Sequence, residues 1–357
     1  MHTKYIFSIL SFLVFINNIA SAQLALVGSI VENTDTAYGQ ITNANVSAYW
    51  LKGDFSSGIA QMSMSNFFKN DSNNVLKFTS QYFPIVLASK VTGKNDVSFP
   101  LVGLNDQGIW QMAIVNFKNL KIIKQTTIPQ FSLINGVESY NGNYYIIGLD
   151  VNDKPLLRIM NMDTLVIKDS NLKSPQLGEA SNILVNKNGI LILSNYSNAT
   201  SDLQLLQPNG NASLVKTLAG GAATGLILKD GIAITYRLGS KIFVEKFDDK
   251  FKSIWNTFLY DVSGPSTKKN TLINLPNGLA FIGGVNSHLK IIRLNDLGQI
   301  INTSTDNEYE FLIPPIGMYS AAAEGNKIHI RGQARRAKNP ESNGKIITFH
   351  FIENFNQ

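Results

Sequence analysis

The sequence predicts an all-β fold: a single β-propeller, with seven four-stranded blades and a ring closed by the N-terminal strand. Three observations predict it. A strand–turn–strand phrase returns along the chain, marked by the turn glycines Gly93, Gly142, Gly189, Gly231, Gly278 and Gly325. Their spacings are 49, 47, 42, 47 and 47 residues, and a steady period in this range marks a repeat architecture. Each period holds four short strands joined by hairpins, which is the content of one propeller blade. The last period stops after its third strand, while a spare strand, Gln23 to Val31, stands at the start of the chain.

The N-terminus reads as a secretory signal peptide, residues 1–22. Lys4 supplies a basic start, Tyr5 to Ile16 is an apolar run, and Ala20-Ser21-Ala22 is a small-x-small cleavage site before Gln23. The apolar run is short for a bilayer span, which needs about 20 residues. The remaining residues, 23–357, form the propeller domain. Their number exceeds what one ordinary core supports, near about 250–300 residues. A repeat avoids that limit because each unit packs only on its neighbours.

The clearest unit is 271–304. Thr271 to Leu275 is a short apolar strand, and Pro276-Asn277-Gly278 is a turn whose Asn-Gly pair tolerates positive φ. Leu279 to Gly283 is a buried strand, Leu289 to Leu294 a third, and Gln299 to Thr303 a polar fourth. The other units follow the same order: Tyr144 to Gly148 after Gly142, Ile190 to Leu193 after Gly189, Ile232 to Tyr236 after Gly231, and Ile328 to Gly332 after Gly325. A diverged first unit is recovered by matching Gly58-Ile59-Ala60-Gln61-Met62 to Gly108-Ile109-Trp110-Gln111-Met112. The units then fall near 32–84, 85–131, 132–175, 176–219, 220–262, 263–311 and 312–357. A propeller left open exposes strand edges that invite pairing with other chains. The spare strand, Gln23 to Val31, is therefore expected to complete the last blade. Six or eight blades, an open β-solenoid and paired β-sandwiches are the competing architectures.

The pattern resembles the broad group of bacterial exported β-propeller repeat proteins, including the quinoprotein-like ones, over nearly all of residues 23–357. The hallmarks of WD40, kelch and sialidase-type blades are absent, and Trp50, Trp110 and Trp255 do not recur in every unit. The resemblance implies the propeller fold and export, and it carries over no functional residue.

Composition narrows the chemistry. The chain has no cysteine, which excludes disulfide staples, thiol catalysis, thiolate metal sites and a lipid-modified cysteine anchor. The net charge of +6 is a mild excess with no basic stripe; it suits acidic surfaces and argues against nucleic acid binding. The Asn-, Lys- and Ile-rich composition suggests an AT-rich genome, and the form of the signal suggests a bacterial source. His288, His329 and His350 fit no metal-ligand spacing, and the two in strands are read as inter-blade packing or a solvent face. Asp150-Val151-Asn152-Asp153 offers oxygen ligands but lacks an EF-hand glycine and distal glutamate, so it reads as a turn. Gly220 to Gly225 lacks the lysine and helix of a phosphate loop and reads as a crowded inner-strand segment.

The candidate binding residues are Arg331, Arg335, Arg336 and Lys338, read with Lys345 as one long loop between the second and third strands of the last unit. Long loops on rigid scaffolds often carry binding, and Arg forks match carboxylate, sulfate or phosphate. No cofactor, metal site or catalytic residue is predicted. The expected function is an exported, non-catalytic binding or scaffold propeller, periplasmic or at the cell surface. It presents loops to a protein or anionic polysaccharide partner in the bacterial envelope. The alternative is a glycan lyase or hydrolase with a central-channel site. Only Glu138 and Glu179 lie at or just before inner strands to serve it as acid–base carboxylates, and Glu324 is close to a turn.

Overall fold

The computed structural model describes residues 23–32, 41–44, 47–54, 60–66, 74–78, 98–105, 107–116, 121–168, 180–186, 189–196, 198–206, 212–262, 270–285, 288–305, 319–335 and 346–354. The proposed signal peptide, the Gly93 turn, Glu179, Arg336 and Lys338 lie outside them. The described chain is all-β, arranged in antiparallel sheets.

Strand β1 (Gln23–Glu32) opens the chain. The first sheet joins β2 (Ile41–Ala44), β3 (Ser47–Asp54), β4 (Ala60–Asn66) and β5 (Asn74–Phe78) in sequence order. The second has three strands among the described residues: β6 (Ser98–Leu104), β7 (Trp110–Asn116) and β8 (Ile122–Thr127). The third comprises β9 (Phe131–Tyr140), β10 (Asn143–Asp150), β11 (Pro155–Asn161) and β12 (Ile167–Lys168). The fourth comprises β13 (Ala180–Asn186), β14 (Gly189–Asn195), β15 (Ser201–Leu206) and β16 (Ala212–Leu218). The fifth comprises β17 (Gly221–Leu228), β18 (Gly231–Leu238), β19 (Lys241–Phe247) and β20 (Ser253–Asp261). The sixth comprises β21 (Thr271–Leu275), β22 (Gly278–Val285), β23 (His288–Leu294) and β24 (Ile300–Thr305). The seventh comprises β25 (Tyr319–Glu324), β26 (Lys327–Arg335) and β27 (Ile346–Asn354), with β1 as its fourth strand. That pairing runs from Gln23↔Asn354 to Glu32↔Ile346, with a bulge between Leu26 and Gly28.

The first strand of each later sheet lies beside the first strand of the next. β9 neighbours β13, β13 neighbours β17, β17 neighbours β21, β21 neighbours β25, and β25 also neighbours β2. The cores therefore sit between sheets, and strand alternation assigns each residue to one of two interfaces. In the fifth sheet, Ile232 and Ile234 pack backwards against Leu191 and Leu193 of the fourth. Ala233 and Val244 pack forwards against Leu279, Phe281 and Leu294 of the sixth. Ala280, Ile282, Leu289 and Ile291 in turn meet Ile328, Ile330 and Phe351 of the seventh. Similar apolar seams join the second sheet to the third and the third to the fourth.

Gly278 shows why the repeat is punctuated by glycine. Its φ is +137°, and a Cβ there would collide with the Leu294 carbonyl on the third strand. Gly231 repeats this with a φ of +153° against the Phe247 carbonyl. The run Gly220-Gly221 is crowded as the sequence suggested, since side chains there would meet the Arg237 carbonyl and the Ala199 backbone.

A second device closes several of the hairpins. Asp150 Oδ1 accepts from the backbone N–H groups of Asn152 and Lys154, both at 2.8 Å. Asp248 does the same for Lys250 and Lys252, both at 2.8 Å. Asn105 and Asn295 repeat it for Gln107 and Ile109, and for Leu297 and Gln299. The fourth residue of each loop takes the left-handed conformation: Gly108, Asp153, Phe251 and Gly298 have φ between 57° and 77°. Asp150 is thus a turn former, and backbone donation from Lys154 and Asn152 holds its carboxyl below the ordinary carboxylate value.

Candidate functional site

The hairpins at one end of the fifth, sixth and seventh sheets enclose a groove of about 1110 Å³. Its walls come from the turn 229–230, from Asp249 and Trp255, from Asn274 and Pro276, from Asn295 and Asp296, and from Gly325. Each wall is fixed by the fold. Lys246 Nζ donates to Asp230 Oδ2 at 2.8 Å, with the lysine side chain 9% exposed and the aspartate 66%. That bond holds the Asp230 carboxyl below its usual range. The Trp255 ring lies over Gly298, where any Cβ would strike it, and its Nε1 donates to the Asp296 carbonyl at 3.0 Å. Thr257 Oγ1 donates to the Gly298 carbonyl at 2.6 Å and pins the same turn.

A buried ion pair supports the far wall. Arg293, 2% exposed, meets Glu353, 0% exposed, through Nε at 2.8 and 3.1 Å and through Nη2. Arg293 Nη2 also donates to the Asn326 carbonyl at 2.7 Å, beside Gly325 of the groove. Asn302 Nδ2 and Ser304 Oγ each donate to Glu353 Oε1 at 3.2 Å. Glu353 pairs with Ile328, the register position filled by Leu294, Phe247 and Leu206 in the sixth, fifth and fourth sheets. A carboxylate has therefore replaced a core apolar side chain, and Arg293 with Asn302 and Ser304 supplies its neutralising shell.

Between the fifth and sixth sheets, Lys290 Nζ lies 5.0 Å from the centroid of the Tyr260 ring. Burial lowers the Lys290 pKa and raises that of Tyr260. Tyr260 also packs edge-on against Phe281, centroid to centroid 5.8 Å.

The sequence-predicted residues fall elsewhere. Arg331 and Arg335 are not in a loop. β26 continues through Arg335, with Arg331 paired to Ser320 and His350, and Arg335 paired to Ile346. The connection is therefore shorter than 331–345, because β26 runs to Arg335 before β27 begins at Ile346. Glu138 lies on β9 opposite Tyr145, and Glu324 ends β25. His329 is buried, and its Nε2 lies 3.2 Å from Glu324 Oε2.

Sequence reasoning missed the groove. Its nearest signal was the recurrence of acidic and amide residues at turns, at Asp230, Asp248-Asp249 and Asn295-Asp296.

No protein-family model and no curated protein matches the chain. Two solved structures are similar. BamB from Moraxella catarrhalis aligns over 92% of this chain and 98% of its own, at 10% identity and a TM-score of 0.47. The uncharacterized protein lmo1340 from Listeria monocytogenes EGD-e aligns over 86% of this chain and 94% of its own, at 10% identity and a TM-score of 0.55. The second likeness concerns the fold alone.

Proposed function

We propose that this chain is an exported bacterial β-propeller of seven blades, closed by β1, that acts as a non-catalytic binding scaffold for a protein or polysaccharide partner in the envelope. The groove across the fifth, sixth and seventh sheets carries the reading. It is broad and built from hairpins on three separate sheets. Its polar groups are already fixed by hydrogen bonds within the fold, as Asp230, Trp255 and Asn295 are. Such a surface is preorganised for recognition, and rigidity lowers the ordering cost of binding. The in-order meander of each sheet and the neighbouring first strands support the radial arrangement. The β1–β27 pairing supports closure, and the tripartite N-terminus supports export to the periplasm or cell surface. Arg331, Arg335, Arg336 and Lys338 remain a second candidate binding set.

The test is affinity capture from the native envelope fraction. One bait is the wild-type protein, one carries Lys229→Ala with Asp249→Ala, and one carries Arg331→Ala with Arg335→Ala. A partner captured by the first and lost by the second supports the groove. One lost only by the third moves the surface to β26. Capture of nothing by any bait would count against the scaffold reading.

A further inference from the structure

Buried polar atoms nearly always find a hydrogen-bond partner. Among the described residues, four buried side-chain atoms have none: Asn143 Oδ1, Thr235 Oγ1, Tyr260 Oη and His288 Nδ1. Three of these four belong to one seam, between the fifth and sixth sheets. Thr235 pairs with Val244 and Tyr260 with Ile242, so both share the face that carries the apolar core of that seam. His288 lies on the same face of β23 as Ile292, which belongs to the same core.

Direct contacts join the group. Lys290, two positions from His288 on that face, places its Nζ 5.0 Å from the Tyr260 ring centroid. Tyr260 meets Phe281 edge-on. Gly283 is the register partner of Lys290, and a Cβ there would strike the Phe281 ring and come within 2.9 Å of Asn270 Oδ1, so glycine makes room for both. Arg237 pairs with Ile242 beside Tyr260, and its charge partly offsets the rise that burial imposes on the Tyr260 hydroxyl. Arg237 is exposed, and its Nε donates to the Gly239 carbonyl at 2.7 Å, which fixes the guanidinium at the open end of the seam.

No carboxylate answers these cations. Among the described residues, no hydrogen bond or ion pair reaches Lys290, and burial alone depresses its pKa. Asp261, the next residue after Tyr260, accepts instead from Ser240 Oγ at 3.0 Å.

The preceding seam shows the closed alternative. Asn195↔Ser201↔Leu218 in the fourth sheet is the register counterpart of Arg237↔Ile242↔Tyr260. There Asn195 Oδ1 accepts from the Ala223 N–H at 2.6 Å, and its Nδ2 donates to the Ala223 carbonyl at 3.1 Å. The fourth sheet is thereby tied to the fifth. At the position of Lys290 the fifth sheet carries Phe243, so a cation stands where the neighbouring sheet has an aromatic ring.

We infer that this end of the seam between the fifth and sixth sheets binds a small oxyanion, the carboxylate or phosphate group of a ligand, through Lys290, Tyr260, His288 and Arg237. Lys290 and Arg237 supply charge, and the Tyr260 hydroxyl and the His288 ring nitrogen supply directed donors. Left unmatched, buried groups of this kind cost stability, and one oxyanion satisfies them together. The site lies at the opposite end of β23 from the groove residue Asn295 and does not depend on the groove.

The experiment is a nuclear magnetic resonance titration of the protein, reading the His288 imidazole, assigned through His288→Asn. Sodium phosphate and sodium acetate are added separately, at constant pH and at an ionic strength fixed with chloride. Variants are Lys290→Met, Tyr260→Phe and the groove variant Lys229→Ala/Asp249→Ala. The expected result is a saturable shift. Saturation by phosphate alone assigns a phosphate group, by acetate alone a carboxylate, and by both an oxyanion site of either kind. Affinity should fall about tenfold or more in Lys290→Met and in Tyr260→Phe, with the groove variant unchanged. Should Tyr260→Phe fail to fold, Lys290→Met alone decides. No saturable shift with either anion, an affinity unchanged in Lys290→Met, or a shift lost only in the groove variant overturns the assignment. Its failure leaves the groove and the scaffold reading untouched.

Discussion

Removing Arg293 should leave Glu353 charged, buried and uncompensated between the sixth and seventh sheets. Arg293→Met keeps the volume and deletes the cation. Breaking a buried pair from one side typically costs about 3–5 kcal/mol, and Glu353→Leu alone should cost a similar amount by stranding the guanidinium. The double variant should behave differently. Leucine at 353 restores the residue type found at Leu294, and methionine is at ease among apolar neighbours. What remains is the pair Asn302 and Ser304, which keep each other at 3.2 Å but lose Glu353, while the carbonyl of exposed Asn326 exchanges Arg293 for water. That loss is worth about 1–3 kcal/mol. Additive behaviour would predict about 6–10 kcal/mol for the pair. Guanidinium unfolding of all four proteins measures the difference through the midpoints, provided the slope stays constant. A double variant as unstable as the sum of the singles would refute the argument. It would mean that the two side chains act independently and that the ion pair is not what joins these sheets.

Four other outcomes are expected. Deleting residues 23–31 should lower the midpoint of the whole domain, since the seventh sheet loses its fourth strand; an unchanged midpoint would remove the role assigned to β1. Gly278→Ala should cost more than about 1 kcal/mol, because the carbonyl in its path is backbone. Gly142→Ala, where nothing lies within 4 Å of the added carbon, should cost less in the same denaturation assay. Asp230 has a folded pKa below its ordinary 3.8, so its pairing with Lys246 contributes stability above that value. The contribution is lost as pH falls through the lowered folded value. Asp230→Asn should therefore flatten the acid limb of a stability profile measured from about pH 5 to about pH 2. Trp255 fluorescence should respond to a partner seated in the groove and stay unchanged when the Lys229→Ala/Asp249→Ala variant is mixed with that partner.

The repeat was legible because its marks are backbone requirements. Gly142, Gly189, Gly231, Gly278 and Gly325 all have positive φ, so the residue type and the period report one geometric need. The spare first strand was legible for a related reason: a seventh unit short of one strand leaves an edge to cover. The Arg331 segment was misread because Arg331-Gly332-Gln333-Ala334-Arg335 shows no apolar alternation. It is a strand because β25 and β27 pair with it, which no local pattern reveals. The groove was hidden for the opposite reason. Its turns look alike and ordinary one by one, and lie up to about a hundred positions apart; only the stacking of sheets gathers them. Arg293 and Glu353, 60 residues apart, were equally invisible as a pair.

The side-chain lock of the Asp- and Asn-closed hairpins frees their tips. At Asp150, Asp248 and Asn295 a single oxygen closes the loop from within, so the residues at the apex, such as Val151, Asp249 and Asp296, are not needed to hold it shut. Each hairpin then behaves as a socket into which different apical residues can be fitted without disturbing the strands below. Divergence can thus rewrite what the tips recognise, one hairpin at a time, while the frame is inherited unchanged.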